Sequence, residues 1–213
     1  MADRSPVVIE ELDVRGARSR LPELREILEG AYYDSHMYRD LTEDLESAPD
    51  PFRLFLAVSD GQPIGVAIVE RKQHDDYEYL GFPPVHIKRF TVVSSARGMG
   101  VGKTLLDASK AYAFEELGLN ILFGESNEYG ALALYGREGA YYRRAAVERY
   151  NRRNDSAQAL KYFAIDISDP RLRGRRYPSG DGIHFAFPAD GTTRRVLESS
   201  GFISQADILA VLG

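Results

Sequence analysis

Three glycines at alternate positions, Gly98, Gly100 and Gly102, stand directly ahead of Lys103 and Thr104. Those residue types in that order suit the holding of an anion. Glycines let the main chain come close to a phosphate, and a lysine and a hydroxyl add a charge and a donor. The phosphate loop of nucleotide-binding proteins reads G-x-x-x-x-G-K-[ST]. Its second half is present as Gly102, Lys103 and Thr104, but its first glycine falls on Arg97. A side chain there obstructs the tight turn that wraps a phosphate, so a nucleotide-dependent kinase or ATPase starts from a defect.

The elements around the loop place it where an anion is expected. The stretch "VHIKRFTVV" reads as a strand running into the loop, and Val101, Leu105, Ala108 and Tyr112 follow at helical spacing. Strand, glycine loop and helix in succession turn backbone N–H groups toward one point. Upstream, "PVVIEELDV" reads as a first strand, and 18–32 as a helix with Leu21, Leu24, Ile27, Leu28 and Ala31 on one face. A short helix is predicted over "YRDLTEDLESA", closed by Pro49 and Pro51. The run "RLFLAVSDGQPIGVAIVERK" predicts a hairpin about Asp60-Gly61. Downstream come a strand "NILFGE", a short helix "YGALALYGREG" and two β-rich runs over 141–147 and 160–167. The mixture predicts an α/β (α+β) fold, a mixed and largely antiparallel sheet with helices on both faces.

Composition narrows the function classes. With 213 residues and 44% hydrophobic content, one substantial core is expected. The 27 basic and 32 acidic residues leave a net charge of -5, which gives no global pull toward nucleic acid or an anionic membrane. Zero cysteines exclude disulfides, thiolate metal sites and an acyl-enzyme thioester. No metal is implied. The opening residues lack a secretory pattern and no 18-residue apolar run occurs, so a cytoplasmic setting is the expectation.

The order of elements, together with Arg97-Gly98-Met99-Gly100-Val101-Gly102, resembles the GNAT superfamily of acetyl-CoA-dependent N-acetyltransferases, whose signature is [RQ]-x-x-G-x-[GA] between a strand and a helix. Arg97, the misfit in the nucleotide motif, is the expected residue in this one. The resemblance covers roughly residues 7–167. A second family segment, N-x-x-A-x-x-L-Y-x-x-x-G-F, aligns on Glu128, Ala131, Leu134, Tyr135, Gly139 and Ala140, departing at Glu128 and Ala140. The resemblance implies that residues 97–104, including Met99, Lys103 and Thr104, hold the pyrophosphate of coenzyme A, and that the main chain at Phe90 and Val92 pairs with its pantetheine arm.

Amine acylation sets its own chemical demands. The amine attacks only with its lone pair free, so a base must take its proton, and the departing thiolate needs an acid. The resemblance places the Tyr135 hydroxyl at the sulfur. It also puts a carboxylate eleven residues ahead of Arg97, a position that His86 fills here. Histidine titrates near neutrality and can serve as that base. Glu125 and Glu70, each near a strand end, and a water chain remain alternatives.

The acceptor, a small-molecule or peptide amine, is less defined. In relatives its pocket is walled by segments equivalent to "EGAYYDSHMYRD" and "RKQHDDYEYLGFPP", which contribute Tyr32, Tyr33, Asp34, Asp75, Asp76 and Glu78 and would suit a cationic amine. A GNAT-like acyl-CoA-binding sensor without turnover is the alternative to an enzyme. The domain reading is 1–169 for the acetyltransferase-like part and 170–213 for a C-terminal extension, opened by the basic, turn-rich "DPRLRGRRYPSGDG". Its apolar residues predict docking on the domain or on a second copy, as a homodimer.

Overall fold

The hairpin predicted at Asp60-Gly61 forms as a two-residue turn, with φ of 53° and 71° at the two positions. Positive φ at both central residues is the type I′ geometry whose twist matches the flanking strands. In the computed structural model, which describes residues 6–32, 36–47, 50–72, 80–149, 156–173, 175–176 and 182–212, that hairpin is the centre of the first of two compact units, 1–118 and 119–213. The backbone alone is described for 30–32, 36–40 and 156–157.

In the first unit the strands are β1 (Val8–Leu12), β2 (Phe52–Ser59), β3 (Gln62–Arg71) and β4 (Val85–Val92), hydrogen-bonded in that order and antiparallel throughout. Three helices follow β1: α1 (Val14–Ser19), α2 (Leu21–Tyr32) and α3 (His36–Ser47). The single helix expected over 18–32 is divided at Arg20. Asp13 caps α1, accepting from Gly16 N at 2.7 Å, and α2 begins afresh with Pro22 in its first turn, where a missing N–H leaves no bond unmade. Leu24, Ile27 and Leu28 of α2 and Leu41 and Leu45 of α3 bury against Leu54, Leu56, Val66 and Ile68 of the hairpin. The opposite sheet face carries Phe55, whose ring meets Tyr112 edge-on at 5.9 Å, just past α4 (Val101–Ala111).

The second unit holds β5 (Ile121–Ser126), α5 (Tyr129–Arg137), β6 (Tyr141–Arg143), α6 (Arg144–Glu148), α7 (Ser156–Ser168), β7 (Ile183–Pro188), α8 (Gly191–Ser199), β8 (Phe202–Ser204) and α9 (Gln205–Leu209). Its strands lie in the order β5-β7-β6-β8, again antiparallel. One face packs Tyr142 and Phe185 against the helices, with Tyr142 edge-on to Phe163 of α7 at 5.6 Å. The other face meets α8, whose Glu198 accepts from the Tyr141 hydroxyl at 3.2 Å.

Two β-rich readings are corrected here. The run 141–147 is strand only to Arg143 and then turns into α6, and 160–167 lies wholly in α7. In α7 the buried residues are Ala159, Phe163, Ala164 and Ile167, a helical spacing, while Tyr162 and Ile165 face outward. Both units thus mix helices with antiparallel strands, as the α/β reading expects. Among the described residues no helix is long and apolar enough to cross a membrane, and no cluster of metal-ligating side chains occurs.

Candidate active site

The glycine loop lies between β4 and α4 in the first unit. After β4 a short 3-10 turn (Ser94–Ala96) leads to Arg97, whose Nε donates to the Val92 carbonyl at 3.2 Å and ties the loop back to the strand end. Gly98 and Gly100 take φ of 77° and 86°, a region L-residues seldom adopt. Gly100 is the N-cap of α4 and brings no side chain to cap it. The amides of the first helical turn normally need a capping acceptor, and the helix dipole adds partial positive charge beside them. A Cβ built at Gly98 or Gly100 meets nothing within 4 Å, so the space before these amides is open. Residues 97–104 therefore form a cradle suited to a phosphate. Thr104 Oγ1 donates to the Gly100 carbonyl at 3.3 Å, Lys103 pairs with Asp107 along the helix at 3.0 Å, and Met99 is exposed.

Strand β4 has an irregular register ahead of the loop. Ile68 faces Lys88 and Val66 faces Thr91, so Arg89 and Phe90 together oppose Ala67. This is a bulge, and Arg89 within it stands at φ 47°. Its side chain is buried and reaches Asp44 of α3 at 2.5 Å. Phe90 and Val92 follow, half-buried, with Val92 directly across from Gly65.

His86 lies on the same strand, 4% exposed and directly opposite Glu70 of β3. Directly opposed residues of antiparallel strands point to one face. Glu70 is 1% exposed, not the exposed strand-end carboxylate its position in the sequence suggests. Lys88 Nζ donates to its Oε1, and Arg89 approaches the same oxygen at 4.0 Å. Burial lifts the Glu70 carboxyl above the ordinary carboxylate range, while the Lys88 ammonium beside it pulls the other way.

The two remaining candidates belong to the second unit. Tyr135 of α5 is 2% exposed, its ring tilted against Phe185 at 4.3 Å and edge-on to Phe187 at 6.0 Å. Glu125 near the end of β5 faces His184 across the ladder, with Glu125 Oε2 4.0 Å from His184 Nε2, and its Oε1 accepts from Gly182 N at 2.9 Å. Since Phe185 and His184 alternate along β7, Tyr135 and Glu125 lie on opposite faces of that unit's sheet. Glu128, the departure from the second family segment, caps α5, accepting from Gly130 N at 2.9 Å and Ala131 N at 2.6 Å. An asparagine side chain would cap the same turn. The acceptor-wall residues Tyr33, Asp34, Asp75, Asp76 and Glu78 lie outside the described residues, as does the Tyr32 side chain.

Comparison with known proteins converges on one family. The family model described as acetyltransferase (GNAT) family matches residues 21–140. No curated protein matches the chain. Among solved structures, the fold is similar to a GNAT-family acetyltransferase from Staphylococcus aureus Mu50, 16% identical over 87% of this chain and 100% of that one, at a TM-score of 0.56. It is also similar to the Escherichia coli GNAT-family N-acetyltransferase YhbS in complex with CoA, 17% identical over 91% and 86% of the two chains, at 0.55. The Escherichia coli ribosomal-protein-S18-alanine N-acetyltransferase is 16% identical over 86% and 94%, at 0.53.

Proposed function

The chain belongs to the GNAT acetyltransferase family, and we propose that it transfers an acetyl group from acetyl-CoA to a primary amine of a small molecule or peptide by direct attack. The observation that carries this reading is the uncapped, open glycine cradle at the start of α4, filled by the residue pattern of the family. Acetyl-CoA, the family's donor, supplies an acetyl group already activated as a thioester. Residues 97–104 would hold its pyrophosphate through main-chain amides, and Phe90 and Val92 its pantetheine arm through main-chain groups beside the bulge. With no cysteine in the chain an acyl-enzyme thioester is excluded, in keeping with an amine that meets the acetyl carbon directly.

His86 takes the proton of the incoming ammonium, with Glu125 and Glu70 as the other residues able to do so. Tyr135 holds a proton at its Oη and releases it as the carbon–sulfur bond breaks; its ring, fixed between Phe185 and Phe187, leaves that hydroxyl little freedom. Tyr135→Phe is expected to lower kcat about a hundredfold with little change in coenzyme affinity, because the proton is needed in the transition state only. His86→Ala is expected to flatten the acidic limb of the rate profile. A rising limb is the loss of a proton from the base, so an unaltered limb would assign that role elsewhere.

The near-complete burial of Tyr135 favours a second reading, an acyl-CoA-binding sensor or partner-binding module without turnover. Release of free thiol from acetyl-CoA across a panel of primary amines separates the two. Amine-dependent release supports the enzyme and names its acceptor class. Saturable acetyl-CoA binding with no release across the panel supports the sensor.

A further inference from the structure

Exposed apolar side chains gather on one part of the second unit. Among the described residues six large apolar side chains are exposed, and four of them share two adjoining elements. Tyr162 and Ile165 belong to α7, and Val211 and Leu212 to a 3-10 turn (Ala210–Leu212) that packs against α7. Each of the four is between 39% and 43% exposed. Apolar residues scattered singly over a surface need no explanation, but a group on neighbouring elements marks a surface that another molecule covers.

The charges beside Tyr162 and Ile165 name that molecule. With about 100° between successive residues of a helix, Tyr162 and Ile165 straddle the middle of the outward face of α7, and Lys161 and Asp166 stand about 70° to either side of it. Ala159, Phe163, Ala164 and Ile167 bury on the opposite face; Lys161 is exposed and Asp166 half-buried. When two identical helices meet face to face and run parallel, opposite flanks adjoin, which brings each Lys161 beside Asp166 of the other copy, five residues on. When they run antiparallel, like flanks adjoin and lysine meets lysine. The outward face of α7 is therefore complementary to itself in the parallel sense. A carboxylate accepts from several donors, so Asp166 can take that ammonium beside the interaction it already makes in its own chain.

We propose that the outward face of α7 docks a second copy of this chain, in a two-fold dimer whose α7 helices lie parallel. Tyr162 and Ile165 meet their counterparts, and Lys161 meets Asp166 on both flanks. The symmetry axis runs along the helix pair, so the interface is isologous, one patch set against itself. Val211 and Leu212, on the turn beside α7, widen the apolar area that is covered. A helix of 13 residues spans about 20 Å, short of what a standard interface needs, so the dimer forms reversibly and its population rises with concentration. The two pairs of opposite charge at the rim fix orientation more than they add affinity.

Sedimentation equilibrium of the full chain, over a concentration series reaching about 100 µM, is expected to show the mass rising from monomer to dimer. Lys161→Glu sets a carboxylate against Asp166 of the other copy, and Asp166→Lys sets an ammonium against Lys161. Each variant alone is expected to dimerise tenfold or more weakly. An equimolar mixture of the two restores opposite charges on both flanks, and with them a dimer of one copy of each. Orientation is read separately with Ile165→Cys, in a chain that holds no other thiol. In the parallel pair position 165 faces itself at a separation a disulfide can bridge, so mild oxidation should link two copies. In an antiparallel pair it faces position 162 and no link forms. A wild-type protein that stays monomeric throughout the series overturns the proposal, as does a mixture no better associated than its components. So does Ile165→Cys linking no faster than Val8→Cys, an exposed position on the first unit. If Asp166→Lys does not fold, the wild-type mass and the Ile165→Cys cross-link decide.

Discussion

Gly100→Asp is expected to weaken acetyl-CoA binding at least tenfold, about 1.4 kcal/mol or more, while leaving the protein folded. Two features of the loop combine in that expectation. Gly100 stands at φ 86° as the N-cap of α4, so any side chain there adopts an unfavourable backbone region, although aspartate tolerates positive φ better than most. A Cβ at this position would meet no atom within 4 Å, so the substitution adds no clash within the protein. What it adds is a carboxylate in the open space before the first helical turn. That carboxylate caps the amides itself, satisfying the donors a pyrophosphate would otherwise use, and repels the phosphate charges. The few tenths of a kcal/mol gained by capping offset only part of the positive-φ cost of about 1 kcal/mol, so the fold should be kept with a slightly lower melting temperature while affinity falls. Calorimetric titration with acetyl-CoA, paired with a thermal melt, separates the two effects. Unchanged affinity in a folded variant would remove the loop from the coenzyme site.

The loop was legible in the sequence because its determinants are local. Glycines at fixed offsets after a strand require only that the strand ends and the helix begins where the pattern says. The same holds for the Asp60-Gly61 turn, where two adjacent residues carry the geometry, and for α5, whose tyrosine and small residues recur at one spacing. The β-rich reading of 160–167 failed for a related reason. Leu160, Tyr162, Phe163, Ile165 and Ile167 have strand-forming side chains, yet burial follows Ala159, Phe163, Ala164 and Ile167. Tertiary packing on the helical face through small alanines outweighed intrinsic preference.

Glu70 shows what a single sequence hides. Its burial depends on β3 pairing with β4 in a register shifted by a bulge, and on α3 bringing Asp44 within reach of Arg89. The pairing joins segments about twenty residues apart, and no periodicity within either strand encodes it. A carboxylate followed by two basic residues, Glu70-Arg71-Lys72, looks like the end of an ordinary exposed strand. Only the cross-strand partners, His86 and Lys88, distinguish it. The site residues that local patterns mark are those that bind through main chain; a buried carboxylate set among Lys88 and Arg89 is marked only by the fold.

Removal of residues 170–213 is expected to prevent the second unit from folding. The segment is set apart by composition, but it supplies β7, which pairs with β5 along one edge and β6 along the other. Without β7 those two strands have no common partner, and the main-chain donors and acceptors that each turns toward β7 go unmatched. The loss also takes Phe185, Phe187, Leu197, Phe202, Ile203 and Ile208 from the buried interior. Tyr135 would lose both aromatic rings that fix its own. A gentler probe of the same dependence is Phe185→Ala, a large-to-small change at a fully buried site, expected to cost about 3–5 kcal/mol. For a chain of this size each kcal/mol lowers the melting temperature by roughly 2–4 °C, so a fall of about 6 °C is the minimum signal. Calorimetry of Phe185→Ala, with limited proteolysis and solution mass of the truncated chain, measures both. A truncated chain with the wild-type melting temperature, mass and protease resistance would show that β5 and β6 hold together without β7, and that Tyr135 is positioned by something other than the rings of Phe185 and Phe187.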